Sequence, residues 1–481
     1  MNADGTRVKV VLTEVNSGDL ARLLPQRKPK PLPVAWTPAS SLFEGLLEFG
    51  TKNAIRVNSL VPTLVNSPQV VAIFKDKARE LRLKRKSSLE KVLELAAGDR
   101  LKLDHTDPYV STSGASIVYS EFALAAGKPR EQLTTADIDD PQVQARVRQW
   151  EASIWHYFNI AKDFKKEWCD KTTLVADAAY MQETTFEEFR RDCNKRDLMA
   201  IYPSDIPLVA DYPYVIFDAP WVNAKKRAAA ERFGQWLDER LGERCEEIGK
   251  EGFRRNGCAR APHLGKSGGA PRAEPAALAR AQEAWSELRR PANVMLVVDV
   301  SQDMSAADKL SAAQDALLFG ETRRGERKPF VNCLKDQDKV GMIVFGGDTA
   351  GGGVPLGDYS PTQKLKTVDA IQKLTTGRAG DPTLYDAINQ ALDALPAIPA
   401  PRPITTVIVL ALGVDKGSTT ISFADLKVKA SHTSSQILAI PYDNEPKRLE
   451  RLKEIVKKSL GRWYPDFQKA ESVSEFVCQF L

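Results

Sequence analysis

Between Ala292 and Leu460 the chain alternates short, unbroken apolar runs with segments of helical spacing, and this alternation constrains the fold more than any other feature. The runs ANVMLVVDV, KVGMIVF, TTVIVLAL and SQILAI are rich in β-branched residues and lack polar alternation, the pattern of strands covered on both faces. Ser305–Phe319, Thr362–Leu374, Leu384–Leu395, Phe423–Ala430 and Pro446–Leu460 repeat apolar residues at helical spacing, with Pro396 stopping the third. Another helix is predicted from Glu471. Buried strands separated by helices build an open, mostly parallel, doubly wound sheet. Ligands of such sheets sit at the carboxyl ends of the strands.

The N-terminal half is also α/β but more helical. Strands are predicted at VKVVL, PVAW, LVPTLV and LMAIYP, and helices at Ser41–Phe49, Leu89–Ala97, Ser113–Ala126, Pro141–Trp168 and Ala224–Leu241. The last places Ala229, Phe233, Trp236, Leu237 and Leu241 on one face, which marks a packing helix with a solvated basic side. The stretch GCARAPHLGKSGGAPRAEP, Gly257 to Pro275, has no apolar period and reads as a linker. The expected division is residues 1–256, a linker and lead-in helix over 257–290, and a second domain over 291–481.

Composition narrows the function classes. The 481 residues are 43% hydrophobic and 27% charged, which suits globular domains. Lys plus Arg number 68 against 63 acidic residues, too small an excess for a dedicated nucleic-acid binder. No apolar run approaches the ~20 residues of a membrane span. The opening MNADGTRVKVVLTEVNSGD carries no export signal. Six cysteines without a CxxC exclude a zinc ribbon or a disulfide-dense scaffold but not isolated disulfides. His105, His156, His263 and His432 have no partners by spacing and read as surface or capping residues. GKSGG at Gly265–Gly269 lies in the linker, not on a strand–turn–helix, and the position that a P-loop fills with its first glycine is Arg260. GGDTAGGGVPLG (Gly346–Gly357) reads as a turn.

Where the first buried strand ends, the sequence reads DVSQDMS. Asp299, Ser301 and Asp303 are alternate residues whose oxygens a curling loop can aim at one point, hard-oxygen chemistry suited to Mg²⁺, Mn²⁺ or Ca²⁺. With GDPTLYDAINQAL and VIVLALGVDKGS following in order, the stretch from Pro291 to Leu481 resembles a von Willebrand factor A (VWA) domain. The resemblance implies a metal-ion-dependent adhesion site with ligands Asp299, Ser301, Asp303 and Thr383, completed by an acidic side chain of a protein partner. Two positions depart from the family pattern: Asp303 stands where the family has Ser, and Leu412 stands where it has a distant Asp, so either the Asp303 carboxylate restores the lost ligand charge or the site has lost its metal and remains a hydrogen-bonded loop. Asp386 and Asp415 are the nearest substitutes and read as helix-start or surface residues; Asp308 and Asp315 are expected to face solvent.

In the first half, VAWTPASSLFEGLLEFG, LVPTLVNSPQVVAIFKDKARE, HTDPYVSTSGASIVYSEFALAAG, LMAIYPSD, DAPWVNAKKRAAAERFGQWL and GFRRNG resemble, in order and spacing, a bacterial periplasmic-type solute-binding domain joined to a VWA domain. The implied fold is a type II, periplasmic-binding-protein-like two-lobe domain followed by a Rossmann-like VWA domain. Against the family pattern the sequence as given opens near the second strand, VKVVL, so the expectation is either a start that lies further upstream or a domain lacking the first strand–helix unit. Ser40 and Ser41 open one helix, and Thr112, Ser113 and Gly114 another; hydroxyls and amides at a positive helix end suit a small anion, or simply cap the helix. Glu183 and Tyr202 resemble cleft-side positions of the family. The expected function is non-enzymatic binding: a protein partner at the VWA domain and a small anionic ligand in the N-terminal cleft, in an extracytoplasmic or cell-envelope setting. An exported transport receptor and an intracellular assembly subunit are the alternatives.

Overall fold

The computed structural model describes residues 8–27, 31–158, 160–161, 168–169, 176–193, 197–206, 209–255, 257–258, 273–319, 330–332, 334–346, 353–377, 381–395, 404–433, 435–443, 445–459, 461 and 463. These fall into two compact units, divided between Arg289 and Arg290. Most of the predicted linker, His263, the GKSGG motif and the helix from Glu471 lie outside the described residues.

The first unit contains two sheets. Strands β1 (Ala35–Trp36), β2 (Arg56–Val61) and β9 (Tyr214–Asp218) form an antiparallel sheet in the order β1-β9-β2. Strands β3 (Ser67–Phe74), β4 (Leu103–Thr106), β5 (Ile154–Phe158), β6 (Ala178–Gln182) and β7 (Leu198–Ile201) form a mixed sheet in the order β5-β4-β6-β3-β7, with β8 (Val209–Ala210) against β3. The helices predicted at Ser41–Phe49, Leu89–Ala97, Ser113–Ala126 and Ala224–Leu241 form at Leu42–Gly50, Leu89–Ala97, Thr112–Ala126 and Ala224–Glu243. The lead-in helix, Pro275–Leu288, packs on Leu42–Gly50 and Thr112–Ala126 of this unit.

Three expectations are corrected here. VKVVL forms no strand: Val11 and Leu12 are 69% and 82% exposed, so no sheet neighbour offers the ladder hydrogen bonds that its alternation could use. Helix Pro141–Trp168 stops at Glu151, because the aromatic run IWHYF becomes β5, buried at every position and parallel to β4. Trp236 is half-exposed, whereas Ala230 and Gly234 take the buried face of its helix; Tyr214 leaves no room for a Cβ at Gly234.

In the second unit, β10 (Ala292–Asp299), β11 (Lys339–Phe345), β12 (Val354–Asp358), β13 (Ile404–Ala411) and β14 (Gln436–Pro441) make one sheet in the order β12-β11-β10-β13-β14. All neighbours are parallel except β12, an antiparallel edge strand formed by the end of the glycine-rich stretch that sequence reads as a turn. Every residue of β10 and β13 is buried, as expected for central strands covered on both faces. Helices Lys309–Leu318, Pro361–Gln372, Leu384–Ala394, Phe423–His432 and Pro446–Lys458 follow the predicted segments, although Gln302–Asp308 is a 3-10 turn.

Candidate functional site

The parallel register aligns the carboxyl ends of β10 and β13, with Val298 opposite Leu410. Asp299 therefore ends its strand beside Leu412. One Asp299 oxygen accepts the Ser301 amide at 2.9 Å, the other the Leu412 amide at 3.1 Å, and the residue is 1% exposed. Burial pushes its carboxyl above the usual range; the Ser301 and Leu412 hydrogen bonds oppose the rise and the charge of Asp303 adds to it. Gly346 closes the same corner from β11: its φ of +127° and a would-be Cβ 2.3 Å from the Ser301 amide admit only glycine.

Ser301 is buried, whereas Asp303 is exposed on the 3-10 turn. Thr383 is the N-cap of Leu384–Ala394 and makes no side-chain cap bond. It meets the loop after β13, since a Cβ at Gly417 would lie 3.2 Å from its methyl. That loop is fastened by the two aspartates read as surface or helix-start residues. Asp415 accepts the Tyr385 amide at 3.0 Å, and Asp386 accepts the amides of Thr419, Thr420 and Ile421 at 2.9–3.1 Å. Asp308 and Asp315 are exposed. A hard divalent cation takes six or more oxygens. Here Asp299 already serves two amides, and the buried Leu412 side chain supplies no oxygen where the resemblance implies a carboxylate.

Beside this corner lies a cavity of about 460 Å³, lined by Val300 and Val344 at the strand ends, Gly353 to Pro355 at the start of β12, and Lys366, Asp369 and Lys373 on and just after helix Pro361–Gln372. Lys373 is paired with Asp369 at 2.7 Å; Lys366 is exposed and, among the described residues, pairs with no carboxylate. The adjoining Leu365 is 70% exposed.

In the first unit the expected ligand contacts are drawn into the protein's own bonds. Ser40 is buried and accepts the Leu42 amide at 3.4 Å, while the Ser41 amide donates to Asp211 at 2.8 Å. Asp211 thus supplies a carboxylate acceptor at that helix start. Thr112 and Ser113 are buried, and Ser113 donates to Gln69 at 3.2 Å. Gly114 lets its helix approach β4 so closely that a Cβ would fall 2.2 Å from the Thr106 carbonyl oxygen. Glu183 is held by Arg254 through two hydrogen bonds of 2.8 and 2.6 Å, and the Tyr202 hydroxyl donates to the same carboxylate. Burial, then the hydrogen bond to Glu183, pushes the Tyr202 phenol up to about 12.

The histidines also need correction. His105 and His156 are buried on β4 and β5, with His156 Nδ1 3.6 Å from Asp104. His432 caps locally, its Nδ1 2.8 Å from the Val428 carbonyl.

No protein-family model matches the chain, and no curated protein matches it. Among solved structures, a von Willebrand factor type A protein from Catenulispora acidiphila is 21% identical over 40% of this chain and 43% of its own, with a TM-score of 0.29. The periplasmic binding protein AfuA from Actinobacillus pleuropneumoniae, with fructose-6-phosphate bound, is 12% identical over 51% and 75%, with a TM-score of 0.37. Iron-bound HitA from Pseudomonas aeruginosa is 14% identical over 56% and 87%, with a TM-score of 0.35. The chain thus spans under half the length of the first of these. No helix of the described residues is long and apolar enough to cross a membrane.

Proposed function

We propose that the chain is a non-enzymatic binding protein whose second unit docks an acidic segment of a protein partner at the carboxyl edge of its sheet, without a metal ion. The observation that carries this reading is the cavity beside Val300: a largely apolar recess of about 460 Å³, flanked by an uncommitted Lys366 and an exposed Leu365. Apolar lining with a few convergent polar groups is the usual make-up of a binding pocket. An acidic group would meet Lys366 there while apolar neighbours of the ligand fill the recess. The buried, hydrogen-bonded Asp299 supports the metal-free form, because its oxygens already have partners.

The small-anion reading of the first unit has less support, since Asp211 and Arg254 satisfy two of its expected contact points. Two disulfides, Cys169–Cys193 and Cys245–Cys258, favour an oxidising compartment over the intracellular alternative.

The test is peptide selection on the full chain in chelator, followed by calorimetry. Acidic peptides are expected, with affinity falling tenfold or more in Lys366→Glu and unchanged by added Mg²⁺. Selected peptides without acidic enrichment, or affinity indifferent to Lys366, would overturn the proposal.

A further inference from the structure

His105 of β4, Glu121 of the Thr112–Ala126 helix and Glu151 at the end of Pro141–Glu151 converge in the interior of the first unit. All three are 0% exposed, and one ligand atom from each lies within 4.8 Å of the others. We propose that they form a structural binding site for a divalent transition cation of the zinc type.

The histidine is oriented for it. Nδ1 stands 2.9 Å from the Thr106 carbonyl, which can only accept, so Nδ1 carries a hydrogen and Nε2, facing the Glu151 carboxylate, is the nitrogen left to bind a cation once it gives up its own proton. A hydrogen bond from the far ring nitrogen to a backbone carbonyl is the usual support of a metal-binding histidine.

The spacing fits as well. Nε2 lies 3.2 and 3.4 Å from the two Glu151 oxygens. Charge-assisted hydrogen bonds run about 2.7–2.9 Å. Two ligands each about 2.0–2.1 Å from a tetrahedral zinc stand roughly 3.3 Å apart. The His105–Glu151 separation accommodates the edge of that tetrahedron as well as a long hydrogen bond.

Glu121 supplies the independent observation. Neither of its oxygens accepts a hydrogen bond from a described N–H or hydroxyl donor; the group it meets is the Glu151 carboxylate, with which it shares a proton unless a cation takes that proton's place. Two carboxylates and a neutral imidazole around one divalent cation sum to zero charge, which an apolar interior tolerates. The Tyr157 hydroxyl, 2.6 Å from Glu151 Oε2, orients that ligand from behind. The rings of Tyr157 and Trp285 wall the site, 4.9 and 6.4 Å from His105. With no opening to solvent, the ion enters as the unit folds, and its role is structural.

The full chain, stripped by chelator in denaturant and refolded with Zn²⁺ or Co²⁺, should retain about one metal per chain after desalting. The Co²⁺ form should show the visible bands of a tetrahedral centre. Glu121→Gln and His105→Gln should each lose tenfold or more in metal affinity, while Asp299→Ala should leave metal content unchanged. X-ray absorption on the wild type gives a readout that needs no variant to fold, and should show imidazole nitrogen and carboxylate oxygen at about 2.0–2.1 Å. A metal-free refolded chain, a sulfur-containing shell, or metal lost in Asp299→Ala would overturn the proposal. A stoichiometry unchanged in both Glu121→Gln and His105→Gln would overturn it equally.

Discussion

Replacing Glu183 by Gln tests whether the pair with Arg254 is part of the framework of the first unit rather than an open contact for a ligand. Its side chains are 9% and 7% exposed, and the guanidinium makes two bonds to one carboxylate. Arg254 cannot follow a lost partner, because its amide and carbonyl are bridged to Asn66 at 2.7 Å each. Removing one member of a buried pair costs about 3–5 kcal/mol, since the remaining charge loses its bidentate carboxylate. Gln keeps one acceptor, so about 3 kcal/mol is expected, or roughly 6–12 °C in Tm for a unit of this size. The assay is differential scanning calorimetry of the full chain, with Glu183→Gln alone and combined with Arg254→Met. The double variant should recover most of the loss, because it buries no lone charge. A single variant that loses under about 1 kcal/mol, as solvated pairs do, would refute the reasoning.

Leu412→Asp places a carboxylate beside Asp299 in a corner where Leu412 is 4% exposed; it should destabilise the chain by about 2 kcal/mol or more and acquire a Mg²⁺-dependent rise in Tm that the wild type lacks. Gly114→Ala should cost about 1–3 kcal/mol in urea denaturation, because the added methyl would meet the Thr106 carbonyl oxygen. Asp137, held by Lys128 and then by the amide and hydroxyl of Thr134, should titrate by NMR at about 2. Its folded pKa lies below the unfolded value near 3.9, so its contribution is present above that value and lost as pH falls through about 2; a midpoint near 3.9 would contradict the assignment.

The second unit was legible because its strands are buried on both faces, so runs such as MLVVDV and TVIVLAL need no partner to be recognised. Strand β12 escaped because glycines precede it and its burial is mixed. In the first unit β5 hid behind a helix: IWHYF follows QWEAS with no Gly or Pro between them, and only pairing with β4 decides its state. VKVVL shows the converse, an apolar segment whose strand propensity found no neighbour. Asp299, Ser301 and Thr383 could be located by motif, yet the tie between Asp299 and Leu412 spans 113 residues and follows from register alone. The His105–Glu121–Glu151 cluster has no sequence signature, because a strand and two helices each contribute one residue.

Docking at the carboxyl edge of the second sheet is tested most directly by methyl NMR of the full chain, titrated with an acidic peptide in chelator. Val300, Val344, Val354 and Leu374 all line the cavity and report on it. Shifts confined to these methyls, and abolished by Lys366→Glu, are the expected result. Shifts that spread elsewhere, or that appear only after Mg²⁺ is added, would contradict it.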